Sequence, residues 1–187
     1  MPFLKGFRNN IPKVNWLGYS ARDFDRIFLT DLDANDWKKS IAFLQEQLTD
    51  SVIRTAVNNM PPEVLPINGE TIIQKLISRR NLISTEALKY YKFISKQVNI
   101  LGSNQKEYFK VSNTENGLQV RVYARTKEND TSFIRYNRIF NIGETKEIRL
   151  YGLNEDDIFE IDKDVSSRIK IRIIGGKGND TFDIKGN

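Results

Sequence analysis

Apolar residues recur at spacings of three and four through the first hundred residues and at a spacing of two after them, so helices are expected first and strands later. Phe24, Ile27 and Phe28 give one buried stripe to a helix over Ala21–Leu32. A second helix starts near Asn35, an acceptable N-cap, and carries Trp37, Ile41, Phe43, Leu44 and Leu48. Thr49 caps a third over Asp50–Asn59, with Val52, Ile53 and Val57 inward, and Pro61-Pro62 forbids its continuation. After an extended stretch to Pro66, Ile72, Ile73, Leu76 and Ile77 mark a fourth helix from about Asn68. A fifth, beginning at Ser84 or Thr85, carries Leu88, Tyr91, Phe93 and Ile94.

The period changes near Leu101-Gly102, which divides the chain into a helical domain, 1–100, and a β domain, 101–187. Leu118, Val120, Val122 and Ala124 alternate with polar partners, and residues 133–140 are aromatic and branched. Two antiparallel strands joined around Lys127–Asp130 are therefore expected, with shorter strands near 146–151, 157–162 and 168–174. The fold class is α+β: a bundle of about five helices, then an antiparallel β module ending in two strand-turn-strand repeats.

Those repeats are the most specific pattern. Residues 147–161 align without gaps on residues 170–184, at an offset of 23, and in each unit a Gly- and Asp-rich turn separates two short strands. Units of fixed period stack to bury a face that none can bury alone, which indicates a partial β-roll or solenoid-like arrangement. The sequence stops just after a strand, so the repeat is expected either to continue or to give way to another module.

With no Cys and no His, the chain has no disulfide, thiolate zinc site, Cys nucleophile, Ser-His-Asp triad or histidine switch. At 39% apolar and 28% charged residues it has the composition of an ordinary globular protein. The net charge of +5 is spread thinly, with 14 basic against 10 acidic residues in 1–100 and 15 against 14 in 101–187. No basic face emerges beyond Arg79-Arg80, so nucleic acid is not an expected partner. Residues 1–10 lack the apolar run of a signal peptide, and no segment is apolar enough to insert directly into a membrane.

Gly175-Gly176-Lys177-Gly178-Asn179-Asp180-Thr181-Phe182-Asp183 satisfies the calcium-binding β-roll nonapeptide at every specified position. Glycines reach left-handed backbone angles and bring carbonyl oxygens together, while Asp180 supplies a hard anionic ligand. Calcium takes ~6–8 oxygens, so a neighbouring turn must contribute. The preceding copy has Leu153, Asn154 and Glu155 in place of glycines, but also carries Asp156 and Asp157. The candidate metal residues are Gly175, Gly176, Gly178, Asp180 and Asp157, with calcium as the cofactor. A tight turn whose Asn and Asp bond their own backbone is the other reading.

Other motifs fail on spacing. Asp31-Leu32-Asp33-Ala34-Asn35-Asp36 opens like an EF-hand loop, but the sixth position is Asp36 and the twelfth is Ala42. Gly176-Lys177 lacks the flanking residues of a phosphate loop. The carboxylate pairs Asp23/Asp25, Asp156/Asp157 and Asp162/Asp164 have no base or metal shell beside them, so no catalytic residue is assigned.

Gly18 to Leu29, Trp37, Leu48 to Ile53, Met60-Pro61-Pro62-Glu63, Gly69-Glu70, Ser78-Arg79-Arg80, Tyr90-Tyr91, Lys146 to Gly152 and Ile171 to Gly176 keep a consistent order. In this order they resemble a segment of very large envelope proteins of Gram-negative bacteria. In that family a calcineurin-like metallophosphoesterase or kinase-like region precedes the segment and a surface-antigen type outer-membrane β-barrel follows it. The resemblance implies a non-catalytic structural or interaction module of a cell-envelope protein, periplasmic or outer-membrane associated. Its partners would be other domains of the parent chain or other envelope proteins. The alternative it implies is the C-terminal lobe of a kinase-like phosphotransferase whose active site lies elsewhere.

Overall fold

The structure is a computed structural model that describes residues 7–11, 13–125 and 131–186. It is α+β, with five helices followed by eight strands in two sheets among the described residues. The chain divides into two compact units, Met1–Ser20 with Ala34–Tyr91, and Ala21–Asp33 with Lys92–Asn187. No helix among the described residues is long and apolar enough to cross a membrane.

The first unit is helical: α1 (Val14–Leu17), α3 (Ala34–Gln47), α4 (Asp50–Asn58) and most of α5 (Leu65–Ile94). Thr49 caps α4 as expected, its side chain accepting the Val52 N–H at 3.2 Å. Ile53, Val57 and Ile73 form the buried centre, with Leu65, Leu76 and Ile77 around them. The two helices expected over 68–94 are one. Neither Gly nor Pro stands between Glu70 and Ile94, so nothing forces a break, and Ser84 and Thr85 sit inside the helix. Pro66 lies in its first turn, where a missing N–H leaves no bond unmade.

The second unit contains α2 (Arg22–Phe28) and the strands β1 (Gln97–Leu101), β2 (Glu107–Thr114), β3 (Gly117–Ala124), β4 (Phe133–Phe140), β5 (Glu147–Leu153), β6 (Ile158–Ile161), β7 (Lys170–Gly176) and β8 (Thr181–Ile184). One sheet runs β1-β5-β7 and the other β4-β3-β2-β6-β8. The expected antiparallel hairpin is present as β3 and β4, with Leu118 opposite Phe140; the connection around Lys127–Asp130 lies outside the described residues.

Pairing within the repeats corrects the expectation of an antiparallel module: β1, β5 and β7 are parallel, and so are β2, β6 and β8. The cause is the repeat itself. A strand-turn-strand coil that stacks on its own copy lays each strand beside its equivalent, which runs the same way.

Three coils result, not two. β1 and β2 form a first coil in register with the others, Gln97 beside Glu147 beside Lys170 and Phe109 beside Phe159 beside Phe182. The β3–β4 hairpin, inserted after this coil, extends its second sheet. Between the sheets, Ile100, Ile148 and Leu150 meet Phe109, Val120 and Phe159 in one buried core. Ring centroids of Phe109 and Phe159 lie 4.6 Å apart, and those of Phe159 and Phe182 5.4 Å apart, so an aromatic ladder crosses all three coils.

Candidate functional site

Each coil turns between a glycine and an acid five residues later: Gly102 and Glu107, Gly152 and Asp157, Gly175 and Asp180. The acid folds back over its glycine. A Cβ at Gly175 would stand 2.0 Å from Asp180 Oδ2, one at Gly152 2.2 Å from Asp157 Oδ2, and one at Gly102 2.8 Å from Glu107 Oε2. Only a residue without a side chain fits beneath the carboxylate.

The acids link successive coils. The Glu107 N–H donates to Asp157 Oδ1 at 2.8 Å, and the Asp157 N–H donates to Asp180 Oδ1 at 3.0 Å. Asp156 reinforces this from the side, accepting from Asn179 N–H at 2.9 Å and pairing with Lys106 at 2.8 Å. Lys106 and the Asn179 N–H hold the Asp156 carboxyl below its usual range. Glu107, fully buried, accepts from the Ser103 N–H at 3.0 Å and lies 3.4 Å from Arg135.

Asp157 differs from its neighbours. It is buried, and its Oδ2 has no hydrogen-bond partner. Burial, together with the nearby Glu107 and Asp180 charges, pushes its carboxyl up to about 7, against the opposing Glu107 N–H and Arg125. The Gly175 carbonyl oxygen points to the same place, 2.4 Å from where a Gly152 Cβ would be. Both oxygens thus lie within 2.4 Å of one point over Gly152, and Asp157 Oδ2 has no donor.

The degenerate turn shares positive φ with the glycine-rich one at both equivalent positions: Leu153 and Glu155 have φ of 80° and 71°, Gly176 and Gly178 of 108° and 133°. The Lys177 N–H donates to the Leu153 carbonyl at 2.9 Å, and the Thr181 N–H to the Asp157 carbonyl at 2.8 Å. The chain tolerates left-handed angles at two side-chain-bearing residues because the coils on either side fix the turn.

Of the residues singled out in the sequence, Gly175, Gly176, Gly178 and Asp180 form the third turn, and Asp157 lies beside them one coil away. Glu107 was not anticipated. Its signal is the alignment of 97–111 on 147–161 at an offset of 50, hidden by the hairpin that lengthens the first repeat. Among the described residues, no three acidic side chains gather into a metal cluster by themselves, so a cation here would draw on main-chain oxygens too.

The remaining motifs have local roles. Asp23 pairs with Arg22 and Arg26, at 3.3 and 3.5 Å, and Asp162 with Lys110 at 3.3 Å. Arg80 is tied to Asp50 at 2.7 Å and to the Leu48 carbonyl at 2.8 Å, while Arg79 lies 4.8 Å over the Phe7 ring. No protein-family model, curated protein or solved structure matches the chain.

Proposed function

We propose that the chain is a non-catalytic structural and interaction module of a larger cell-envelope protein, in which the coil stack acts as a rigid spacer and its turns take up calcium. The observation that carries the reading is the convergence of the unpartnered Asp157 Oδ2 and the Gly175 carbonyl at the stacked turns. Asp157, the Gly175 carbonyl and Asp180 would hold the ion, with main-chain oxygens of the stacked turns and water completing its shell. Bound calcium supplies positive charge between acids that repel one another when no cation is present. Its role is cross-linking of coils, with no chemistry on a substrate. Neighbouring domains and other envelope proteins are the partners this reading assigns.

Calorimetric titration of chelator-treated protein with calcium, beside melting curves with and without the ion, tests it. A saturable site of about one ion per chain and a raised Tm are expected, since an ion bound only by the folded state stabilises by mass action. Asp180→Ala should remove most of that binding. Absence of both heat and shift would leave the glycines with turn formation alone and refute the calcium role.

A further inference from the structure

The two steps of the coil stack repeat one arrangement with different electrostatics. Over Gly102 lie Glu107 Oε2 and the Gly152 carbonyl, each 2.8 Å from where a Cβ would stand, just as Asp157 Oδ2 and the Gly175 carbonyl lie over Gly152. Asp157 Oδ2 has no donor, whereas Glu107 is satisfied at both oxygens. Its Oε2 accepts the Ser103 N–H at 3.0 Å, its Oε1 accepts the Ser103 hydroxyl, and Arg135 stands 3.4 Å from Oε1. At the offset of 50, Ser103 corresponds to Leu153, which carries no hydroxyl.

The positive charge comes from the inserted hairpin. Arg135 lies on β4 and is aimed by the first turn itself, donating to Ser103 Oγ at 3.1 Å and to Gln105 Oε1 at 2.9 Å. Glu107 is 0% exposed, and a carboxylate so buried requires a positive partner; Arg135 is its one ion pair among the described residues. At the second turn Arg125 donates instead to the Asp156 main-chain carbonyl, at 3.2 Å, and Asp157 has no ion pair among the described residues.

We propose that Arg135 is a resident counter-ion of the first turn, serving there as calcium serves between the second and third coils; the inference rests on the calcium reading of the stacked turns. The inserted hairpin thereby makes one step of the stack independent of metal and leaves the other to take the ion. Without the guanidinium, the Glu107 carboxylate, the Gly152 carbonyl and the Ser103 hydroxyl remain, hard oxygen donors of the kind calcium takes, with water for the rest of its shell. A cavity of about 200 Å³ lined by Ile27, Asp31, Gly102, Arg135 and Tyr136 adjoins this turn and admits an ion with its water.

Calorimetric titration with calcium of chelator-treated Arg135→Gln and, separately, Arg135→Met tests the proposal, beside the unsubstituted chain and Arg135→Lys. Each neutral variant should take up one ion more than the unsubstituted chain, and calcium should raise its Tm by more. Arg135→Lys keeps the charge and should bind as the unsubstituted chain does. Adding Glu107→Gln to Arg135→Gln should abolish the extra ion, because that carboxylate is its ligand. A packing role alone would lower Tm equally in chelator and in calcium and leave the number of ions unchanged. A neutral variant that is unfolded in chelator is followed by far-ultraviolet circular dichroism: calcium should restore its fold, and no recovery overturns the proposal. An unchanged ion count in both neutral variants overturns it while the calcium reading stands, and so does an extra ion in Arg135→Lys. An unsubstituted chain that binds no calcium, beside neutral variants that bind one ion, refutes the calcium reading and leaves the role of Arg135 in place. No binding in any chain refutes both.

Discussion

The main-chain N–H of Asp157 donates to the carboxylate of Asp180 at 3.0 Å, across 23 residues of sequence and a single step between coils. The same bond, from Glu107 N–H to Asp157, joins the first two coils. A side-chain acceptor thus continues the inter-coil bonding through the turn, where a strand ladder has ended. Asp180→Ala leaves the Asp157 N–H without that acceptor and should cost ~1–3 kcal/mol. Asp180→Asn keeps an oxygen at the position and should lose less. Urea unfolding of both variants in chelator measures the difference without any contribution from metal.

The pH dependence of stability should carry the mark of Asp157. Its carboxyl titrates near 3.8 in the unfolded chain and is pushed up to about 7 in the fold. Below the lower value both states hold the proton and the full stability is present. Between the two values only the folded state holds it, so stability falls as pH rises, until the loss is complete above about 7. The loss should be roughly 2–4 kcal/mol in chelator. Asp157→Asn, which has no charge to bury and turns an N–H toward the Gly175 carbonyl, should flatten this part of the profile. It should be more stable than the parent at pH 8 without metal. A parent whose stability rises from pH 5 to 8 as steeply as that of the Asn variant would refute the assignment.

Glycine at 152 is required by its own coil's acid. Gly152→Ala places a methyl group 2.2 Å from Asp157 Oδ2 and 2.4 Å from the Gly175 carbonyl, one of them backbone that cannot give way cheaply. The cost should be at least ~1–3 kcal/mol. Gly143→Ala is the control, because its nearest neighbour is the Asn141 side-chain oxygen at 3.0 Å. Chemical denaturation should show a large loss for the first and a small one for the second.

Legibility in the sequence followed the length and regularity of each signal. Thr49 announced α4, and the alternation at Leu118 to Ala124 announced β3, because each depends on neighbours a few residues away. The offset of 23 revealed the second and third coils and placed Asp157 beside Asp180. The first coil escaped notice because the β3–β4 hairpin stretches its repeat to 50, so Glu107 sits in a turn with no visible copy at the regular spacing. β1, at five residues directly after a long amphipathic helix, offered too few alternations to register. Parallel pairing was implicit in the repeat, but short strands joined by tight turns read locally as hairpins. The raised titration of Asp157 has no sequence signature, since it arises from burial among acids contributed by three coils.

The strain in the second turn offers the most direct test of the coil geometry. Leu153 and Glu155 hold left-handed φ of 80° and 71°, where a Cβ is disfavoured by ~1–2 kcal/mol per residue, and their equivalents Gly176 and Gly178 carry no such penalty. Replacing both, Leu153→Gly with Glu155→Gly, relieves the strain and gives the second turn the glycine pattern of the third. Part of the gain is offset because glycine also frees the unfolded chain, by roughly 0.5–1 kcal/mol at each site. The double variant should therefore be as stable as the parent or slightly more stable in chelator, an unusual result for two glycine substitutions. If calcium occupies the stacked turns, the variant should also bind it no more weakly, because the ligands assigned at Asp157, Asp180 and the Gly175 carbonyl are untouched. Urea denaturation supplies the first comparison and calorimetric titration the second. A loss of ~2 kcal/mol or more would mean that these residues do not occupy the left-handed region and that the second turn does not copy the third.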